Sequence, residues 1–321
     1  RRFARNWFLL KTVFAQSLLP FGEEEEPTDW DPESGALGFR TIHGDVVRSR
    51  EEQMICNWLA TSGVAYEYER PYEHDTATAE YRQYLPDFYY PSADLYHEHF
   101  GVDANGNPPA KFGTEYVESM RWKRALHNER NTKLVETTSH EIRSRGFDRL
   151  EAELRKFGVK FGEVPLTDEQ RTRLPDDAGL LRVFRTFMSH VKSNRMSMGD
   201  LRGRAVSRAS DQPARDMLFL DLFEEIWGEW DRRLAAANAV DFEDMLGLAV
   251  DHLAACQVSM PYRLVMADEF QDSSRVRGAM LKELTRDDDS RLFVVGDDWQ
   301  AVNRFAGADI SLMRDFDKHI G

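Results

Sequence analysis

R-L-V-M-A-D-E-F-Q-D, residues 263–272, decides how the chain is read. Arg263 to Ala267 is a short apolar run of the kind expected for a buried parallel strand. It ends in two adjacent acids, Asp268 and Glu269. A carboxylate at the carboxyl end of such a strand is placed to hold Mg²⁺, directly or through water, beside a nucleotide. A second carboxylate next to it can accept a proton from water attacking a γ-phosphate. As a bare dipeptide the pair is weak evidence, because acids commonly begin helices.

A second block repeats the pattern downstream. Arg291-Leu292-Phe293-Val294-Val295 is another apolar run, followed by Gly296-Asp297-Asp298-Trp299-Gln300. Val276 to Thr285 reads as the helix joining the two strands. A glutamine just past a strand parallel to the first can hydrogen-bond a γ-phosphate without adding charge. An exposed aromatic nearby can stack on a base, worth about 1–3 kcal/mol per base.

D-E-F-Q-D followed by V-G-D-D-W-Q-A-V-N-R-F-A-G-A-D resembles motifs II and III of the superfamily-one helicases UvrD, Rep and PcrA, nearest in pattern to helicase IV. Ala239-Val240-Asp241-Phe242-Glu243-Asp244-Met245 resembles the segment leading into motif II, and the likeness runs over roughly residues 236–316. The resemblance implies an ATP-driven, Mg²⁺-dependent motor on single-stranded or partly duplex DNA, moving 3′ to 5′. It implies Asp268 as the Mg²⁺ carboxylate, Glu269 as general base and Gln300 at the γ-phosphate. Gln271 falls at the nucleotide or an inter-domain contact and Asp297 at the nucleotide, with Trp299, Arg304 and Phe305 toward DNA and Phe305 in the base-stacking position. Asn303 stands where the family usually has Tyr, and Ala306 where many members have Arg; both departures concern the DNA contact.

No G-x-x-x-x-G-K-[ST] phosphate loop occurs in the sequence. The expectation is a piece of a longer polypeptide, with motif I upstream and the second RecA-like domain downstream. Such a piece hydrolyses no ATP alone and presents a bare apolar edge at Phe293 to Val295.

Residues 41–162 suggest a second chemistry. Ser49 with Glu52 resembles a capping box opening a helix. Ala65 to Glu69, Leu85 to Tyr90, Leu95 to Phe100 and Lys133 to Thr138 read as strands, and Glu115 to His127 as a helix. The order helix, Asp87, strand, Glu98 resembles PD-(D/E)xK restriction-endonuclease-like folds, whose carboxylates converge on Mg²⁺ or Mn²⁺ at a scissile phosphate. The resemblance implies Asp87 and Glu98 as metal ligands and Glu52 as the helix acid. The position two after Glu98 is Phe100, not lysine, so Lys123 from the following helix is the substitute. His97 and His99 read either as metal ligands or as surface residues. The residues suit a metal-dependent nuclease module, a non-catalytic DNA-binding or structural insertion of the same fold, or an unrelated α+β domain.

The fold class expected is α/β: a partial RecA-like P-loop NTPase domain with a helical insertion and an α+β restriction-endonuclease-like insertion. Residues 1–40 are a helix (over 1–22) and an acidic linker, 41–162 the endonuclease-like unit, 163–260 a helical subdomain resembling 1B, and 261–321 the RecA-like half-domain. The net charge of -14 argues against a nucleic-acid binder when taken alone. However, Arg182, Arg185, Lys192, Arg195, Arg202, Arg204 and Arg208 share a stretch whose single acid is Asp200, which is either a phosphate-binding surface or a solvated face. No apolar run approaches the roughly 20 residues that span a bilayer. Cys56 and Cys256 lie in apolar helical patterns and read as buried reduced thiols, consistent with a cytoplasmic protein.

Overall fold

The structure, a computed structural model, describes residues 2–14, 23, 26–32, 35–79, 81–162, 167–174, 176–208, 210–258, 260–300 and 307–320. The chain divides into two compact units, Arg1–Pro175 with Ala205–Leu222, and Asp176–Arg204 with Phe223–Gly321.

The first unit opens with α1 (Arg2–Thr12) and a small antiparallel sheet of β1 (Asp29–Asp31), β2 (Ala36–Arg40) and β3 (Val46–Val47). Helix α2 (Arg50–Thr61) follows, then β4 (Glu67–Tyr68), β5 (Phe88–Tyr90), β6 (Leu95–Phe100), α3 (Gly113–Glu129) and β7 (Lys133–Thr138). Strands β4-β5-β6-β7 form one sheet in that order. The pairs β4/β5 and β5/β6 are antiparallel and β6/β7 is parallel, so α3 supplies the crossover that a parallel pair requires. Helices α4 (Ser139–Arg145), α5 (Asp148–Lys156) and α6 (Asp168–Thr172) complete the run.

Local chemistry explains the placement of α2. The Ser49 hydroxyl accepts the Glu52 amide at 3.1 Å and donates to the Glu52 carboxylate at 2.8 Å, satisfying an orphan donor of the first turn. The helix buries Met54, Ile55, Trp58 and Leu59, with Trp58 stacked on Phe147 at 5.0 Å. Gly63, at φ +63, follows the helix end. A Cβ there would sit 2.1 Å from the Gly162 carbonyl oxygen, so the close approach of two backbones requires glycine.

Helices α7 (Asp177–Ser193), α8 (Met198–Ser207), α9 (Pro213–Ala236) and α10 (Phe242–Ala254) come next, with α8 and α9 contributing to both units. The second unit then has β8 (Leu264–Ala267), α11 (Arg275–Leu284), β9 (Arg291–Val294), α12 (Ser311–Arg314) and α13 (Phe316–His319). Strands β8 and β9 are parallel and joined through α11, as the apolar runs predict. One face of this pair packs Ala267, Leu292 and Val294 on a core of Phe270, Leu312 and Ile320. The alternate residues Leu264, Met266, Phe293 and Val295 are half exposed or more. The expected bare strand therefore appears as a bare face, which follows from the two-residue period of side chains along a strand.

Several expectations change. The helix expected over 1–22 ends at Thr12, and residues 15–22 lie outside the described residues. Part of the acidic linker forms β1 and β2, strands too short to show a period. Cys56 is buried, but Cys256 lies beyond the end of α10, at φ 55, and is exposed. His97 and His99 are not surface residues, because β6 is an inner strand of its sheet and both side chains are buried. Among the described residues no helix is long and apolar enough to cross a membrane.

Candidate functional site

Two sites are built separately, one in each unit. In the second unit, β8 delivers Asp268 and Glu269 to its carboxyl end. Glu269 takes the left-handed conformation, φ 51, and turns the chain into a short 3-10 segment over Phe270–Asp272. Such a conformation is uncommon for a residue other than Gly, Asn or Asp. It is braced from the neighbouring strand: the Phe270 amide donates to the Val295 carbonyl at 2.9 Å, and the Val295 amide to the Ala267 carbonyl at 2.9 Å.

The turn buries Gln271, whose amide joins both motifs. Its Nε2 donates to the Glu269 carboxylate at 2.6 Å, and its Oε1 accepts the Asp297 backbone amide at 3.0 Å. The Asp297 carboxylate in turn accepts from Gln300 Nε2 at 2.9 Å. Glu269, Gln271, Asp297 and Gln300 thus form one hydrogen-bonded chain across the tips of β8 and β9. Gly296 makes room for it, since a Cβ there would fall 2.5 Å from Gln271 Oε1. Asp268 is exposed beside this chain and accepts the Glu269 amide at 2.9 Å. Trp299 is 93 % exposed. Arg304 and Phe305 lie outside the described residues, as do Asn303 and Ala306.

Three cations of the basic stretch before this site are committed to ion pairs. Lys192 contacts Asp241 at 2.7 Å, Asp244 at 2.8 Å and Asp231 at 3.3 Å. Burial works against its charge, but the hydrogen bonds to Asp241 and Asp244 hold it above the ordinary lysine value. Arg195 pairs with Asp251 at 2.7 Å and Arg202 with Glu224 at 2.8 Å. These three cations therefore brace helices, and the acids that balance them come from elsewhere in the sequence.

In the first unit, strand register assembles the acids. Phe88 pairs with His97 and Tyr68 with Phe88, which sets Asp87 opposite Glu98 and Glu69 opposite Asp87. Three carboxylates thus stand in a row across three strands, and like charges directly opposed are unfavourable. Glu98 is fully buried; its Oε1 accepts the Tyr84 hydroxyl at 2.6 Å and its other oxygen is ion-paired with Lys123 of α3. Burial, then the charge of Asp87, push Glu98 up to about 8 despite Lys123 and Tyr84. Burial alone would lower Lys123, but the charges of Glu98 and Asp87 hold it above the usual lysine value. Glu52 points to the same region from α2: burial and Asp87 raise its pKa, and the Tyr68 hydroxyl donates to it at 2.6 Å. Burial also raises Glu69, which pairs with Arg48 at 2.7 Å. The Asp87 carboxylate accepts the His99 backbone amide at 2.6 Å.

Glu52, Asp87, Glu98 and Lys123 are therefore brought together. Glu69 joins them, although the sequence reading passed it over; its signal was its place at the end of a strand two positions past Glu67. His97 and His99 face away from this row. His97 bonds Tyr90 and Thr137, each at 2.8 Å, and burial pushes it well below the ordinary histidine value. His99 bonds Thr137 and Glu51, each at 2.9 Å. Among the described residues no three His, Cys, Asp or Glu side chains form a ready cage for a metal ion.

Comparison with known proteins gives consistent results. Residues 102–321 match the family model described as UvrD/REP helicase N-terminal domain. DNA helicase IV of Escherichia coli (strain K12) is 32% identical over 164 residues, covering 49% of this chain and 24% of that protein. The ATP-dependent DNA helicase UvrD1 of Mycobacterium bovis (strain ATCC BAA-935 / AF2122/97) is 36% identical over 104 residues, covering 29% of this chain and 14% of that protein. The chain spans a minor part of the length of either relative.

Proposed function

The chain belongs to the UvrD/REP helicase N-terminal-domain family, and from that premise we propose that it is part of an ATP-dependent helicase that moves 3′ to 5′ along single-stranded DNA. The four segments 1–40, 41–162, 163–260 and 261–321 are its proposed parts. The observation that carries the reading is the hydrogen-bonded chain from Glu269 through Gln271 and Asp297 to Gln300. It gives one nucleotide-facing edge a proton acceptor and a neutral amide in fixed relation.

Asp268 would hold Mg²⁺. A single exposed carboxylate suits this ion, which is commonly bound by one or two carboxylates with phosphate oxygens and water completing its shell. Bound there, Mg²⁺ would neutralise charge on the β- and γ-phosphates. Glu269 would take the proton of the attacking water, and Gln271 would keep its carboxylate turned to the pocket. Gln300 would sense the γ-phosphate, with Trp299, Arg304 and Phe305 toward the strand. The sequence holds no phosphate-loop motif, so the activity is proposed for the full-length polypeptide. There, Gln300→Ala is expected to lower DNA-stimulated ATP turnover about 10²-fold, the usual cost of removing one oriented donor. Turnover unchanged by that substitution would sink the assignment of Gln300.

The opposed acids of the first unit support a second reading, a metal-dependent nuclease module. Two carboxylates forced together in a buried place are relieved by a divalent cation, and Asp87 with Glu98 would hold Mg²⁺ or Mn²⁺. The missing cage fits an ion that completes its shell with phosphate oxygens and water. Lys123 would help activate the attacking water, and Glu52 would orient it. Asp87→Ala is expected to abolish cleavage of labelled DNA in Mg²⁺ or Mn²⁺. Cleavage indifferent to the substitution would leave the non-catalytic, DNA-binding alternative.

A further inference from the structure

We infer that Tyr90, His97, Thr137, His99 and Glu51 form a buried relay of hydrogen bonds whose direction reverses when His99 gains or loses a proton, a pH-sensitive switch built into the first unit. It requires no nucleotide, metal or DNA, and so stands apart from both readings above.

Strand order makes the relay. His97 and His99 are two apart on β6 and therefore share a face. β7 runs beside them, and Thr137 pairs with His99. The Thr137 hydroxyl stands between the two rings, 2.8 Å from His97 Nε2 and 2.9 Å from His99 Nδ1. The outer nitrogens reach the two ends: His97 Nδ1 lies 2.8 Å from the Tyr90 hydroxyl, and His99 Nε2 lies 2.9 Å from Glu51. Tyr90 and His97 are fully buried and Thr137 is 2% exposed, so bulk water offers these groups no substitute partner.

Proton counting gives the direction. A neutral imidazole carries one N–H and one acceptor nitrogen, and a hydroxyl carries one proton. With His99 neutral, four protons serve four bonds: Tyr90 donates to His97 Nδ1, His97 Nε2 to Thr137, Thr137 to His99 Nδ1, and His99 Nε2 to Glu51. Every bond points toward the carboxylate. A second proton on His99 turns Nδ1 from acceptor to donor. Thr137 then accepts from His99 and donates to His97 Nε2, so the His97 proton moves to Nδ1 and faces Tyr90. Three bonds reverse, and the one surplus hydroxyl proton comes to rest at Tyr90, the far end from the charge. Holding His97 unchanged would aim two N–H groups at Thr137 and leave the surplus proton beside the imidazolium. A head-to-tail run is the better arrangement, because each bond polarises the next.

The surroundings give the two rings different roles. Burial opposes a charge on His99, but Glu51 of α2, Asp87 ahead of β5 and Glu52 of α2 outweigh it. Arg143 of α4 shares Glu51 with this ring. For His97, burial, then His99 and Arg149 of α5, all oppose a charge, so that ring is neutral in both states. A neutral ring has one proton and two nitrogens to hold it, which is what a reversible link requires. A change of charge beside α2 is thereby read at β5 with no side chain displaced.

The test follows the histidine ring nitrogens of the ¹⁵N-labelled 321-residue chain by long-range ¹H–¹⁵N NMR, from about pH 5 to about pH 9. His97 is expected to carry its proton on Nε2 at high pH and on Nδ1 at low pH. The change should track the titration of His99, with a midpoint above the ordinary histidine value. Thr137→Val removes the linking hydroxyl: His99 should still titrate, while His97 keeps one tautomer. Thr137→Ser retains the hydroxyl and should retain the switch. The parent protein decides the matter whether or not a variant folds, because a single His97 tautomer held through the whole titration of His99 would overturn the relay. A switch that survives Thr137→Val would overturn it as well.

Discussion

Glu269→Gln in the full-length polypeptide is expected to reduce DNA-stimulated ATP hydrolysis about 10³-fold, within the range that a positioned general base contributes. ATP binding should stay within a few-fold. The reasoning is that glutamine keeps the volume of the side chain and an oxygen for the Gln271 amide, now 2.6 Å from the carboxylate. What it loses is the ability to take a proton. The left-handed backbone at φ 51 is retained, because glutamine and glutamate bear the same strain there. A binding defect and a chemical defect therefore separate cleanly: equilibrium titration with a fluorescent ATP analogue reports the first, and phosphate release the second. Hydrolysis surviving within tenfold of the parent would remove Glu269 from the chemistry.

The second large effect is on folding. Glu51→Ala is expected to destabilise the first unit by about 3–5 kcal/mol at pH 6, the cost of removing one partner from a buried ion pair. Glu51 accepts from the Ser139 hydroxyl, from Arg143 at 2.6 Å and from His99 at 2.9 Å. Burial would raise its pKa, but the hydrogen bond and charge of His99, then Arg143 and Ser139, bring it down to about 2. A carboxyl with a depressed folded pKa stabilises the fold above its unfolded value and loses that contribution as pH falls through the folded one. The pH window is therefore about 4.5 down to about 2. The shift is worth about 3 kcal/mol at 1.36 kcal/mol per unit. His99 works in the opposite sense. Glu51 holds its pKa up against burial, so its share is complete below the ordinary histidine value and is lost as pH rises through the folded one. Urea melts of parent and variant should show a gap that is wide at pH 6 and closes toward pH 2. A gap that does not change with pH would mean that the loss is one of packing and not of charge.

The tips of β8 and β9 were legible because their residues are contiguous. A run of apolar residues, two acids and an amide within a few positions are enough to mark a strand tip, and β8 and β9 appear within a residue of their expected bounds. The same holds for β6 and β7, whose bounds match the sequence reading, and for the Ser49–Glu52 cap. Lys123, which the sequence offers in place of the missing strand lysine, does reach Glu98. The 1–22 helix and the linker strands were not, because short or interrupted elements carry too little period to distinguish.

By itself, then, the sequence determined the strand tips, the helix cap and which acids and amides stand at those tips. Tertiary structure alone decided which acid does what. Glu51 and Glu52 are neighbours of one type, yet a helix turns by about 100° per residue, so one faces His99 and Arg143 and the other faces Tyr68 and Asp87. The partners of Glu51 lie 48, 88 and 92 positions away, a distance over which no local pattern reports. Glu69 enters the acidic row by the register of β4 against β5, and register is a property of paired strands. Packing, by setting rotation and register, turned similar carboxylates into a structural ion pair on one side and a candidate reaction centre on the other.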